Sequence, residues 1–485
     1  MSAGEHTDVL RTGEAGGMVI RGGVLRGAGY GAGILLGAGT SILLLRHLGV
    51  ADFGQYGVVI ALLGIVSGVT DAGLTAVGSR ELAVRPADER PALMRNLVAL
   101  RILLTGAGVA VAVLFAAAAG YEAVVVAGTA VAGVGVLLLN TQSTLMMPLA
   151  IELRYGAITL LETLRHALTL VGVALLVVAG ASLFPFFALP VAVGIVCLAL
   201  TPLAVVGIRA MSPSLDRATA FALLRESLPL AAAIAMNVVY LRLLVLFVSL
   251  QTDETETGLY ATSFRVFEIL LGLPTLVLAV ALPLLAVAGA EDRERLRYAV
   301  QRLTETALAL SLLLVLVTVV LAEPAITLLF GEQYEEAAPM LQVQSFALVG
   351  IFLSQVWTLA LVSLRRQRDV AIANGIALLA VVALGLVLVE AYEGVGGAAA
   401  AVATETLLAL LVLGFLARAD RTVAPSPGFA WRPLAAAAAA TLVALLPLSA
   451  WVVAPLAAAV FLGVALAVGA IPPEVLPALR GRRGR

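Results

Sequence analysis

Along most of the chain, apolar stretches of about 20 residues alternate with short polar breaks. A hydrocarbon core ~30 Å thick takes about 20 apolar residues per helix. On that measure the pattern predicts about fourteen transmembrane helices: roughly 27–45, 56–77, 98–118, 124–145, 157–179, 184–206, 227–249, 258–286, 303–321, 339–362, 371–389, 395–416, 434–450 and 452–470. No segment alternates polar and apolar residues at period 2 for long enough to predict a transmembrane barrel. The expectation is an all-α integral membrane protein.

The breaks carry charge asymmetrically. Those on the N-terminal side hold Arg80, Arg85, Arg90 and Arg95, then Arg154, Arg209, Arg217 and Arg225, and further groups at 293–302, 365–368 and 418–432. The opposite breaks read "AGYEA", "QTDETETG", "AEPAITLLFGEQYEEAAP" and "EAYEG", acidic and without Arg. Only Arg46, at the outer end of the first span, departs from the pattern. By the positive-inside rule both termini are expected to be cytoplasmic, in a cell membrane, with an even number of spans.

Composition agrees. The 485 residues are 61% hydrophobic and 13% charged, with a mean hydropathy of +1.06, where a soluble chain is about a quarter charged. The net charge of −1 points to no nucleic-acid partner, and three His with a single Cys exclude a metal cluster or disulfide framework. No metal, cofactor or catalytic activity is expected. All basic residues are Arg.

The two halves resemble each other. "VLRGAGYGAGIL" (24–35) and "LLRESLPLAAAI" (223–234) each set Arg at the mouth of an opening span. About 30 residues later, "DFGQYGVVIALLGI" (52–65) and "ETGLYATSFRVFEILL" (256–271) each carry Gly-x-Tyr. The simplest division is a cytoplasmic segment 1–26, an N-lobe of six helices at 27–206 and a linker at 207–226. A C-lobe of six helices at 227–416, two further helices at 434–470 and a basic tail at 471–485 follow. Parallel halves of this kind place a transport site between them near the midplane.

Charges inside spans are costly and face a cavity or a partner. They are Asp71, Glu162, Arg165, Arg242, Arg265, Glu268 and Glu405, with Arg26 and Arg101 at Arg-side helix mouths. Glu162/Arg165 and Arg265/Glu268, spaced i, i+3, share a helix face and can neutralise each other. Alternatively the arginines line a cavity for an anionic substrate, since the planar guanidinium grips phosphate oxygens bidentately. Arg242 has no anion at i±3 or i±4, which makes it the foremost ligand candidate. Asp71, with Arg80 nearby, Arg46 and Glu405 are assigned structural or ion-coupling roles (H⁺ or Na⁺). Gly29, Gly33 and Gly37 predict close helix contact on the first span.

Four stretches carry a family resemblance. "LLLRHLGVADFGQYGVVIALLGIVSGVTDAGLTAVGSRELA" (43–83) resembles the opening signature of prokaryotic polysaccharide flippases, in the multidrug/oligosaccharidyl-lipid/polysaccharide exporter superfamily. "GLYATSFRVFEILLGLP" (258–274), "LLFGEQYEEAAPMLQVQSFALVGIF" (328–352) and the stretch 365–413 agree with it in order and spacing. The resemblance implies two six-helix lobes in a V around a cationic cavity, two additional C-terminal helices, and alternating access. It implies that a lipid-linked oligosaccharide is moved from the cytoplasmic to the outer leaflet, by a protein expected to act as a monomer in the bilayer. Arg46, Gly54, Tyr56, Asp71, Gly258, Tyr260, Gly331 and Glu405 fall in the matching motifs, whereas Arg26, Arg165, Arg242 and Arg265 rest on the charge argument alone. Many relatives carry an acidic residue near the position of Arg242. Two alternatives stand beside this reading: a cation-coupled multidrug or metabolite antiporter of the same superfamily, and a membrane polysaccharide polymerase or glycosyltransferase.

Overall fold

The computed structural model describes residues 15–71, 73–205, 213–291 and 293–470, with side chains from residue 26 onward except 226–235, 237–238, 273–291 and 427. The polar N-terminus, the basic tail and the start of the expected linker lie outside the described residues. Sixteen α-helices follow one another among the described residues, and no strand occurs there. They are α1 Ala15–Leu48, α2 Val50–Asp71, α3 Leu74–Val84, α4 Arg90–Ala118, α5 Ala123–Leu145, α6 Met147–Ile151, α7 Tyr155–Val178 and α8 Leu183–Ala204. Then come α9 Arg217–Gln251, α10 Glu254–Glu291, α11 Arg293–Phe330, α12 Ala337–Ser345, α13 Ala347–Ser363, α14 Gln367–Ala419, α15 Trp431–Ala444 and α16 Ala450–Ala467. Ten stretches among the described residues are long and apolar enough to cross a membrane.

Several boundaries depart from the hydropathy pattern for local reasons. The expected span 56–77 breaks after Asp71, because Gly73 takes a left-handed conformation (φ 76°) before α3 begins. That conformation is cheap only without a Cβ. The expected helix 434–450 stops at Ala444, before Pro447, which has no N–H to donate and disfavours helix at the residue preceding it. The expected linker 207–226 is helical from Arg217 onward. Helix α14 is two helices joined at a kink, with non-helical angles at Tyr392 and Glu393, which matches the predicted break between 389 and 395.

The chain forms two compact units, Met1–His47 with Leu62–Ile234, and Leu48–Ala61 with Ala235–Arg485. In the first, α4, α5 and α8 pack in sequence. A Cβ at Gly135 would come within 2.5 Å of Pro190 on α8, so glycine sets that helix spacing. Beside them, Leu74, Val77 and Leu82 of α3 bury against Leu93, Met94, Leu97 and Leu100 of α4 and Met147 of α6. In the second unit α13 lies against α14, where a Cβ at Gly350 would meet the Glu405 backbone at 2.7 Å. Helices α15 and α16 join α11 through Ala436, Ala440, Ala457, Phe461 and Ala465. The start of α2 also belongs to this unit, and there the two Gly-x-Tyr motifs meet glycine on glycine. A Cβ at Gly54 would sit 2.9 Å from the Gly258 nitrogen, and one at Gly258 would overlap the Val50 carbonyl oxygen.

Candidate functional site

Arg242 does not stand alone. The lack of an anion on its own helix is met from α10: its Nη2 donates to Glu268 Oε1 at 2.8 Å. Arg265 donates to the other oxygen, Oε2, at 3.1 Å, as the i, i+3 spacing predicts. One carboxylate therefore bridges two guanidinium groups, and the triad keeps one net positive charge. All three side chains remain partly open, at 24% for Arg242, 20% for Glu268 and 37% for Arg265. Arg242 has no anion at i±3 or i±4 on its own helix, and a neighbouring helix supplies one. What survives is a surplus cation at mid-helix, still accessible to an anion.

Tyr240, two residues earlier on α9, points to a different face, since successive helix positions turn by about 100°. Its hydroxyl donates to Glu405 Oε1 on α14. Glu405 is fully buried, and its Oε2 has no hydrogen-bond partner. The partner that a neighbouring helix supplies to Glu405 is a phenol.

In the first unit Glu162 and Arg165 do not form the pair their spacing allows: no ion pair joins them among the described residues. The Arg165 guanidinium turns instead to the next residue, with Nη2 at 3.5 Å from His166 Nε2, and Glu162 is exposed. Helix α1 packs against this face through its small residues. A Cβ at Gly29 would overlap Thr159, and one at Gly33 would lie 3.3 Å from the His166 ring, as the glycine spacing predicts. Arg26, one turn earlier, is exposed and sits 5.6 Å over the Tyr155 ring, a cation–π contact. Arg26, Glu162 and Arg165 thus lie on two touching helices. Arg46 is exposed in the last turn of α1, where a cation suits the helix dipole.

Asp71 finds its cation in Arg101 rather than Arg80. Arg101 is only 1% exposed, and its Nη2 reaches Asp71 Oδ1 at 2.5 Å. Its other donors go to Thr144 Oγ1 at 3.0 Å, the Thr70 carbonyl at 3.0 Å and Thr75 Oγ1 at 2.9 Å. This guanidinium ties α4 to α5 and to the broken end of α2. Hydropathy placed Arg101 at a helix mouth because a long apolar run follows it. The signal that locates it is periodicity: Leu93, Leu97, Arg101 and Thr105 are all buried and recur every four residues on one face.

Polar residues in other spans act mainly as helix contacts. Ser67 donates to Asn140 at 3.2 Å, Gln342 to the Val319 carbonyl at 3.0 Å, and Ser263 to Gln344 at 3.4 Å. No group of three metal-ligating side chains occurs among the described residues.

Comparison with known proteins adds three findings. A family profile described as "Polysaccharide biosynthesis protein" matches residues 43–339. No curated protein matches the sequence. Among solved structures, the lipid II flippase MurJ in an inward closed conformation aligns at a TM-score of 0.75 and 13% identity, over 93% of this chain and 99% of that one. A multidrug resistance MATE family transporter of the MOP superfamily in an inward-facing conformation aligns at 0.64 and 13%, over 80% of this chain and 95% of that one. A MOP superfamily transporter from Pyrococcus furiosus, whose binding pocket is described as having reverse polarity, aligns at 0.55 and 13%, over 88% and 100%. At such identities the likeness is one of fold: an all-helical, multi-pass membrane protein built as these transporters are.

Proposed function

The chain belongs to the polysaccharide biosynthesis protein family, and from that premise we propose that it is a flippase for a polyprenyl-phosphate- or pyrophosphate-linked oligosaccharide. The observation that carries the reading is the surplus cation of the Arg242–Glu268–Arg265 triad, half-open on spans that otherwise exclude charge. The substrate has a head too polar for hydrocarbon and a tail that stays in it. In this reading Arg242 and Arg265 replace water around the phosphates while the tail trails into lipid, and Arg26 and Arg165 are the further candidate ligands. Glu268 offsets half of the triad's positive charge, so the head is attracted without being trapped. Alternating access then moves it from the cytoplasmic to the outer leaflet of the cell membrane. Both termini are cytoplasmic in this scheme, and the protein acts as a monomer without enzymatic activity. Any coupling ion is assigned to Glu405, whose free oxygen is unengaged, rather than to Asp71, which Arg101 holds.

The test is deletion of the gene in its host, with lipid-linked oligosaccharide located by a non-permeant glycan-cleaving probe on intact cells. The pool is expected to accumulate where the probe cannot reach it. Arg242→Ala is expected to restore surface glycan about 10- to 100-fold less well than the parent, the cost of losing a hydrogen bond to a charged group, and Arg242→Lys to recover part of it. Unchanged pools and surface glycan would remove the flippase reading for that glycan and favour the antiporter.

A further inference from the structure

At the Arg-rich end of the second unit, the first turns of α11 and the segment joining α14 to α15 border an open cavity of about 750 Å³. Its lining carries Arg297, Arg302, Arg421 and Arg432 against Glu294 and Glu305, a surplus of two positive charges. The walls are fixed. Ser426 N donates to Gln301 Oε1 at 2.8 Å, and Arg293 pairs with Asp420 at the segment's start. Glu305 is already engaged, accepting from Arg302 at 2.9 Å and from Gln301 at 2.8 Å.

The remaining donors outnumber their acceptors. Arg297 and Arg421 are exposed, and neither has an ion-pair partner among the described residues. Arg432 Nη1 reaches the Gly469 carbonyl at 3.3 Å, while its Nε is buried without an acceptor. The surroundings are those of a membrane interface. Tyr298 and Trp431 are both more than half exposed, and each stacks a cavity arginine, Arg302 at 5.4 Å and Arg432 at 5.4 Å. Amphipathic rings favour the headgroup level. Further along α15, Leu434 and Leu442 face outward and offer an apolar track that leads away from the cavity.

From this we infer that the cavity binds the phosphate headgroup of an anionic phospholipid, with its acyl chains laid along α15. Basic pockets between membrane helices hold such headgroups. The guanidinium forks supply paired donors to phosphate oxygens, and the outward leucines explain why the ligand is a lipid rather than a soluble ion. The site does not depend on what the protein transports.

The experiment uses the full-length protein in nanodiscs of phosphatidylcholine, with phosphatidylglycerol added to a fraction of the discs. Lipid retained through extraction is counted by native mass spectrometry. The parent is expected to retain phosphatidylglycerol in preference to phosphatidylcholine. Arg297→Ala/Arg421→Ala is expected to weaken that retention by roughly 10- to 30-fold, the effect of removing two lipid-facing cations. The corresponding lysine pair is expected to keep most of it, which separates lost charge from lost fold. Arg80→Ala/Arg154→Ala removes equal charge from exposed positions in the other unit and is expected to change nothing. Equal loss in both alanine pairs would overturn the site in favour of diffuse surface charge. Inorganic phosphate raising the Tm in phosphatidylcholine discs as far as phosphatidylglycerol does would overturn the lipid and leave a soluble anion as the ligand.

Discussion

Removing the guanidinium of Arg101 and removing the carboxylate of Asp71 are different injuries, although the two groups form one ion pair. Arg101 is 1% exposed and Asp71 is 53% exposed. An Asp71 stripped of its partner turns to water, whereas an Arg101 stripped of its anion keeps a charge in a closed interior. Breaking a buried pair from the exposed side therefore costs more, about 3 kcal/mol, while an apolar replacement of similar volume on the buried side costs less. Asp71→Ala is expected to lower the thermal midpoint in detergent further than Arg101→Met. The reverse order would show that the three remaining oxygens around Arg101 suffice to hold its charge.

At the scale of helices, the tightest contacts are made by glycine. Gly258→Ala drives a Cβ into the Val50 carbonyl oxygen, backbone that cannot rotate away. Overpacking of this kind costs about 1–3 kcal/mol, and the start of α2 must be pushed off α10. A lower Tm is expected, along with loss of cross-linking between cysteines placed at Gln55 and Glu254, whose side chains lie 2.6 Å apart. Sequence pattern reveals this level unevenly. Apolar length marks the helices, and "EAYEG" marks the kink in α14, because a cluster of charge and glycine interrupts a run that has no other reason to stop. The break at Gly73 escapes such a reading, since "VTDAGLTAV" remains apolar enough to pass for one span. Nor does one helix reveal what its neighbour brings: Glu268 reaches Arg242, and Tyr240 reaches Glu405, across distances in sequence that periodicity does not connect.

For the molecule as a whole, the two ends respond to acid in opposite senses. At the acidic end, burial raises the pKa of Glu256 above the ordinary carboxylate range, against the Gly394 N–H that lowers it, and Glu393, Asp253 and Glu336 raise it further. The fold thus favours the neutral form of Glu256. Its contribution is present below the unfolded carboxylate pKa and is lost as pH rises through the folded value. At the Arg-rich end, hydrogen bonds from Thr422 and then the Arg293 guanidinium lower the pKa of Asp420 despite some burial. Its contribution is present above the unfolded pKa and is lost as pH falls through the folded one. Above pH ~4 Glu256→Gln is expected to remove a decline in Tm with rising pH, and below pH ~4 Asp420→Asn is expected to remove a decline with falling pH. Identical Tm–pH curves for parent and variants would show that neither end contributes. The charge asymmetry itself is legible from the sequence, but the titration of each carboxylate is not, because it depends on which loops fold over it.

The glycine-on-glycine seam between the two Gly-x-Tyr motifs has a consequence for heredity. Where a large residue packs against a small one, a change on one side can be rescued by the opposite change on the other, and descent leaves a record of paired substitutions. Gly54 and Gly258 permit no such exchange, because nothing smaller than glycine exists to compensate. Lineages that keep the seam keep both residues fixed, so this close helix contact is one that co-variation across a family will never report.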